Sequence, residues 1–229
     1  GLITPRVPGR VAIETPAGRV DVTYQECNGY VDSVRLHNVP SYLHEADVVV
    51  DVPGMGSLKV DISFGRSFHA VLEPQQGWAG LDQMNASDIV TCSRALRSAL
   101  GKVCDPVHPD NPGIRGVHHA IWCDHPVNDH SDGRCAVFYG EKAIDRSPGG
   151  TGTSARMAQL YGKGRLAAGA AYRHESLIGT IFEGRVEAEV DVGPFRGILP
   201  SIGGWARVTG HNTILVDDRD LLAHGFQLV

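Results

Sequence analysis

The stretch that most constrains this chain is Asp145 to Leu166, which reads DRSPGGTGTSARMAQLYGKGRL. Gly149, Gly150 and Gly152 admit backbone dihedrals closed to other residues and let a ligand approach the main chain closely. Thr151, Thr153 and Ser154 are good capping residues. Ala155 to Tyr161 reads as a short helix with Met157, Leu160 and Tyr161 on its inner side, and Gly162 suits its C-terminal stop. A helix that starts where a glycine run ends presents unpaired N–H groups and the positive end of its dipole, so it can hold a small anion without any cationic side chain. Asp145, four residues before Gly149, supplies the opposite charge. The pair suits an amino acid or imino acid, with its carboxylate on the helix and its ammonium on Asp145. On these residues alone, a glycine-rich turn that binds nothing is an equally good reading.

The 229 residues, 42% of them hydrophobic, can bury a core as one large domain or two small ones. No apolar run approaches membrane-spanning length, and the start GLITPRVPGR lacks the charged and hydrophobic regions of a signal peptide. Twenty-six acidic against twenty-one basic residues give a net charge of −5 with no basic run, so neither nucleic acid nor membrane is an expected partner. Cys27, Cys92, Cys104, Cys123 and Cys135 are an odd number without CxxC spacing, which argues against a disulfide framework and a zinc site and points to a reducing cytoplasm. His118 and His119 are adjacent, and His125 and His130 lie in a polar loop with Asp124, Asp129 and Asp132. No pair has helical ligand spacing, so the expectation is a solvated loop and no metal.

Along the chain, Val11 to Tyr24 reads as a hairpin turning at Pro16, Ala17 and Gly18. Strands follow over Val31 to Asn38, Ala46 to Val52 and Leu58 to Phe64. Gln75 to Gly80 is a polar break that marks the expected domain boundary. A helix then begins at Asn85 or Ser87, buries Ile89, Cys92, Leu96 and Leu100, and stops at Gly101. Strands are expected over Gly113 to Cys123 and Arg134 to Tyr139, then the glycine loop and its helix. Ser176 to Val192 repeats the Gly-Arg-Val of the opening hairpin, with Gly184 matching Gly18, as a duplicated two-lobe protein would. Two further strands are expected at Ala206 to Thr209 and Thr213 to Val216. Trp205 and Phe226 read as core, and His174 and Glu175, adjacent on a strand and therefore on opposite faces, have a structural role.

The central stretch, together with HESLIGTIFEGRVEAEV, PSIGGWARVTGHNTILVDDRD, TPAGRV and NVPSYL, resembles the proline racemase family, most closely its 4-hydroxyproline 2-epimerase members, over nearly the whole chain. The resemblance implies an α/β (α+β) fold like that of diaminopimelate epimerase: two lobes, each a curved, mostly antiparallel sheet around a central helix, with the active site between them. On that scheme residues 1–75 are the sheet-rich remnant of a truncated first lobe, 76–200 the second lobe, and 201–229 a segment returning toward the first. The family removes the α-proton and returns one to the other face with two cysteines and no cofactor. Carried over, Asp145 binds the ring ammonium, Gly150 and Thr151 donate N–H groups to the carboxylate, and Phe68 and His69 reach the pocket. Gly149 stands where the family has one acid/base cysteine, and the Met-Cys-Gly-His-Gly-Thr segment that carries the other has no counterpart in residues 1–229. The implied reaction is epimerisation of trans-4-hydroxy-L-proline to cis-4-hydroxy-D-proline, with this chain expected to be a fragment inactive alone. Dehydration of trans-3-hydroxy-L-proline and non-catalytic imino-acid binding are the alternatives. Expected partners are hydroxyproline or proline and, through the incomplete first lobe, a second chain or copy.

Overall fold

The computed structural model describes residues 3–15 and 18–225. The turn residues Pro16 and Ala17, and Phe226, lie outside them. The first three strands, β1 (Arg10–Thr15), β2 (Gly18–Cys27) and β3 (Tyr30–His37), form an antiparallel meander. Next come β4 (Ser41–Val52), β5 (Gly56–Phe64), β6 (Phe68–Leu72), the helix α1 (Ala86–Leu100) and a small hairpin of β7 (Val107–His108) and β8 (Asn111–Arg115). After β9 (Val117–Asp124), β10 (Gly133–Tyr139) and the short β11 (Ala143–Ile144), the helix α2 (Gly150–Gly162) leads to β12 (Ala171–Ser176), β13 (Ile181–Val192) and β14 (Phe195–Gly204).

Eight strands close a ring in the order β4, β5, β6, β9, β10, β12, β13, β14. The ring shuts where Gly197 and Ile198 of β14 pair with Tyr42 and Ser41 of β4. Side chains alternate across this wall, as a pleated strand requires. On β9 and β10, Ala120, Trp122, Ala136 and Phe138 join the outer core, whereas Ile121, Cys123, Cys135 and Val137 join an inner cluster with Ala155 of α2. Outside, α1 lays Ile89, Leu96 and Leu100 on the sheet, and the Trp122 Nε1 donates to Ser93 Oγ at 2.7 Å. This helix links the parallel pair β6 and β9.

Inside the ring sits α2, with every residue from Gly152 to Leu160 buried. Two wall glycines admit it. A Cβ on Gly65 would meet the Thr151 carbonyl and the Ala155 amide, and one on Gly184 would meet the Met157 sulfur. The polar side chains of α2 are bonded to the wall, as burial demands. Arg156 donates to Glu73 at 2.8 Å and to Gln159 at 2.6 Å, and Gln159 donates to Asp61 at 2.6 Å. Lys163 completes the Asp61 pair at 2.7 Å. The expected α+β class, with a curved sheet around a central helix, is therefore present.

Several boundaries differ from the sequence reading. The break at Gln75 to Gly80 lies inside one sheet, because β6 before it pairs with β9 beyond it. A polar glycine-containing stretch reads alike whether it joins two domains or leads into a crossover helix. β4 to β6, assigned with residues 1–75 to a first-lobe remnant, belong to the wall around α2. The far half of β14 stays paired with β13 through Ser201 to Gly203, and its other edge passes from β4 to Val34 to His37 of β3. Trp205 to Gly225 carries no strand, and Trp205 is exposed, so the two late strands and the core role of Trp205 are not found. Gly18 and Gly184 are unlike: the first is exposed at a strand start, the second is packed against α2.

Candidate active site

At the N-terminal end of α2, the ring and the β1–β3 meander enclose a cavity of about 550 Å³. The meander contributes an apolar wall of Ile13, Val20, Val22 and Leu36. The ring contributes His69, His119, Asp145, Gly149, Gly150 and Thr151, with Thr15, Asn38, Arg66, Val137 and Tyr139 completing the lining. Five of the six residues expected at the site thus meet in one place.

Local bonding shapes the loop. The Asp145 N–H donates to the Val137 carbonyl at 2.8 Å, which continues the sheet up to the carboxylate. Asp145 Oδ1 accepts from the Ser147 N–H and hydroxyl, both at 2.9 Å, and Ser147 Oγ accepts from the Gly149 N–H at 3.1 Å. Gly149 then caps the helix at φ 70°, in the left-handed region that favours glycine, and no side chain caps α2. The helix begins five residues earlier than the sequence reading placed it, and Thr153 and Ser154 are interior residues, not caps. Ser154 Oγ bonds back to the Gly150 carbonyl at 2.9 Å. The first-turn N–H groups of Gly150 and Thr151 are left at the cavity with the positive end of the dipole.

Beneath the loop, the Thr153 hydroxyl lies 3.4 Å from the Pro148 carbonyl and shares a hydrogen bond with His174 Nδ1 at 3.0 Å. His174 is buried, its Nε2 has no partner, and burial lowers its pKa to about 3, so it is neutral. Glu175 accepts from the Val127 and Asn128 N–H groups at 3.1 and 3.0 Å. Both have the structural role expected.

His69 lies at the cavity floor with its ring centroid 4.9 Å from that of His119. Its Nδ1 donates to the Ser67 carbonyl at 2.9 Å. Burial, and then the charge of His119, lowers its pKa to about 3. Burial likewise lowers that of His119, so the floor is a pair of neutral imidazoles. Phe68 is not at the site. As the neighbour of His69 on β6 it faces the other way, edge-on to Phe64 at 5.1 Å and to His44 at 5.3 Å in the outer core.

No cysteine lines this cavity. Cys123 and Cys135 are buried in the inner wall, where burial pushes the first to about 11 and the second well above its ordinary value. A Cβ on Gly149 would have Gly152 N at 3.6 Å and Asp145 Oδ2 and Val137 Cγ1 at 3.7 Å as its nearest neighbours, so a side chain has room there although the backbone disfavours one. The site can bind a zwitterion, but position 149 carries no group that transfers a proton. Asn38 and Arg66 are not site candidates on the sequence alone, and His119 enters there only as one of an adjacent histidine pair without metal-ligand spacing; Asn38 lies before Val-Pro in a stretch carrying the family resemblance.

The family model described as proline racemase matches residues 1–227. A 4-hydroxyproline 2-epimerase from Rhizobium rhizogenes is 71% identical over 228 residues, covering 100% of this chain and 69% of the relative. One from Shewanella loihica is 51% identical over 229 residues, again 100% and 69%. Among solved structures, a hydroxyproline epimerase from Agrobacterium vitis with bound trans-4-hydroxy-L-proline superposes with a TM-score of 0.87 at 28% identity, covering 100% of this chain and 65% of that one. A probable proline racemase from Agrobacterium radiobacter, with bound carbonate, also gives 0.87, at 31% identity, with 98% and 66% covered. The chain thus spans about two thirds of the length of its relatives. A PhzF-family protein from Bacillus anthracis, at 10% identity and a TM-score of 0.54, shares the fold alone. With its sheet wound around α2, its glycine loop beside Asp145 and these matches along its length, the chain belongs to the proline racemase family.

Proposed function

We propose that the protein acts at the α-carbon of 4-hydroxyproline, interconverting trans-4-hydroxy-L-proline and cis-4-hydroxy-D-proline without a cofactor. The observation that carries this reading is the placement of the Asp145 carboxylate and the uncapped start of α2 on one cavity. Asp145 takes the ring ammonium, and the Gly150 and Thr151 N–H groups take the carboxylate. As the α-proton leaves, charge moves onto that carboxylate, and fixed N–H donors stabilise it most at that moment. The printed names of the Rhizobium and Shewanella relatives, and the ligand of the Agrobacterium vitis structure, support the same substrate.

Proton transfer needs a group on each face of the carbon. Gly149 supplies none, and no thiol of residues 1–229 lines the cavity. The isolated chain is therefore a binding body, and this glycine favours non-catalytic imino-acid binding as the second reading. Proton NMR of trans-4-hydroxy-L-proline in D₂O is the test. The isolated chain is expected to broaden the ligand lines without exchanging the α-proton, and Asp145→Ala to abolish the broadening. Exchange or epimer formation would show that another group in these residues moves the proton, a vinyl or imine product would indicate a dehydratase, and absence of any broadening would overturn imino-acid binding. Exposed apolar residues of the meander, Ile13, Tyr30 and Val31, support association with a second chain or copy there. Five unpaired cysteines fit a reducing compartment such as the cytoplasm. No helix among the described residues is long and apolar enough to cross a membrane.

A further inference from the structure

We propose that Arg66 is a ligand-contacting residue whose guanidinium joins the α2 N-terminus in holding the carboxylate, a role that rests on reading the cavity as an imino-acid site. Arg66 occupies the tip of the β5–β6 hairpin at φ 101°, a conformation that non-glycine residues rarely adopt. The tip is held there from several sides. Gly65 N–H donates to the Ser67 carbonyl at 3.1 Å, and His69 Nδ1 donates to the same carbonyl at 2.9 Å. Asn38 donates to Ser154 Oγ at 2.9 Å and to the Gly65 carbonyl at 3.4 Å, tying the tip to the first turns of α2. Gly65, lacking a side chain, lies against the Thr151 carbonyl and the Ala155 amide. Residue 66 is therefore fixed beside the start of the helix.

Strained residues persist where the surroundings over-determine them, and they gather at functional sites. A glycine at 66 would remove the strain, yet an arginine stands there. Its side chain is half-buried and lines the same cavity as Gly149, Gly150 and Thr151. Among the described residues it makes no ion pair or hydrogen bond, and the one carboxylate lining the cavity, that of Asp145, is bonded instead to Ser147. A cation without a partner among the described residues, in a cavity whose one carboxylate is bonded elsewhere, matches an anionic ligand group. The planar guanidinium fork fits a carboxylate by two parallel bonds. Asp145 and Arg66 then divide the zwitterion between them, the first taking its ammonium and the second reinforcing the helix at its carboxylate.

The test compares affinities for trans-4-hydroxy-L-proline and for its carboxamide, which keeps the ring and ammonium and lacks the anionic charge, in the protein as its gene encodes it. Wild type is expected to prefer the acid. Arg66→Gly is expected to weaken acid binding about tenfold or more, the effect of losing a hydrogen bond to a charged group, while carboxamide affinity holds and the melting midpoint stays level or rises as strain is relieved. Arg66→Lys, keeping the charge without the fork, is expected to fall between. An unchanged acid-to-amide ratio in Arg66→Gly, or equal loss of both ligands, would overturn the role of Arg66 and leave imino-acid binding standing. If wild type binds neither ligand, both readings fail together.

Discussion

The two helices differ in what surrounds them. The 15-residue α1 is an ordinary surface helix: Asn85 and Asp88 form a reciprocal capping box at 2.9 and 3.0 Å, one face is buried, and Gly101 ends it. The 13-residue α2 has no side-chain cap, is buried nearly throughout, and carries Thr153, Ser154, Arg156 and Gln159 in the interior. What α1 gains locally from its cap, α2 gains from the wall, and its first N–H groups are left to bind something else. A helix can forgo its cap where tertiary contacts hold it.

The largest expected effect tests that dependence. Gly65→Ala drives a methyl group into the backbone of α2, with the Ala155 amide 2.5 Å from the new carbon. Chemical denaturation should show a loss of about 3 kcal/mol or more, whereas Arg94→Ala on the exposed face of α1 should stay within about 0.5 kcal/mol. Comparable losses at both sites would break the contrast.

A smaller effect follows from the neutral histidines against α2. His69 and His174 titrate at about 3 in the folded chain, below the ordinary 6.5, because burial disfavours the charged form. Below pH 6.5 the unfolded chain binds protons that the folded one refuses, so stability is present above 6.5 and is lost as pH falls toward 3. Each histidine contributes a slope of up to about 1.4 kcal/mol per pH unit. His174→Asn should remove one such slope from unfolding free energies measured between pH 6 and 4. Glu73 acts in a lower window. Burial raises its pKa, but the bonds from Arg165 and Arg156 outweigh burial and hold it at about 2 against an ordinary 4.5, so its contribution fades between those values.

A smaller effect again belongs to the cap of α1. Asn85→Ala should cost about 1 kcal/mol through loss of the cap and leave hydroxyproline affinity unchanged in a titration. A change in affinity would mean that the two helices are less separate than their packing shows.

The same contrast explains what the sequence disclosed. Asn85, the apolar spacing of α1 and Gly101 are local signals, and they placed that helix within a residue or two. The core of α2 was legible from Met157 and Leu160, but its first turn was not. Gly150, Thr151, Gly152 and Thr153 have poor helix propensity, and the ring overrides it. Phe68 and His69 were not separable by pattern, because Phe68 to Leu72 is buried on both faces and shows no polar alternation. Arg66 had no signature at all, since its position depends on a hairpin tip meeting a helix 85 residues away. Asp145 and the glycines were legible because their chemistry is contiguous in the chain.

One consequence of β14 concerns how the cavity opens. Its near half closes the ring against β4 and its far half carries the meander through β3. The two walls of the cavity are therefore branches of a single strand, with no flexible linker between them at this junction. The change of partner falls within Ile198 to Ser201, so drawing one wall away from the other would bend β14 and strain its pairing with β13.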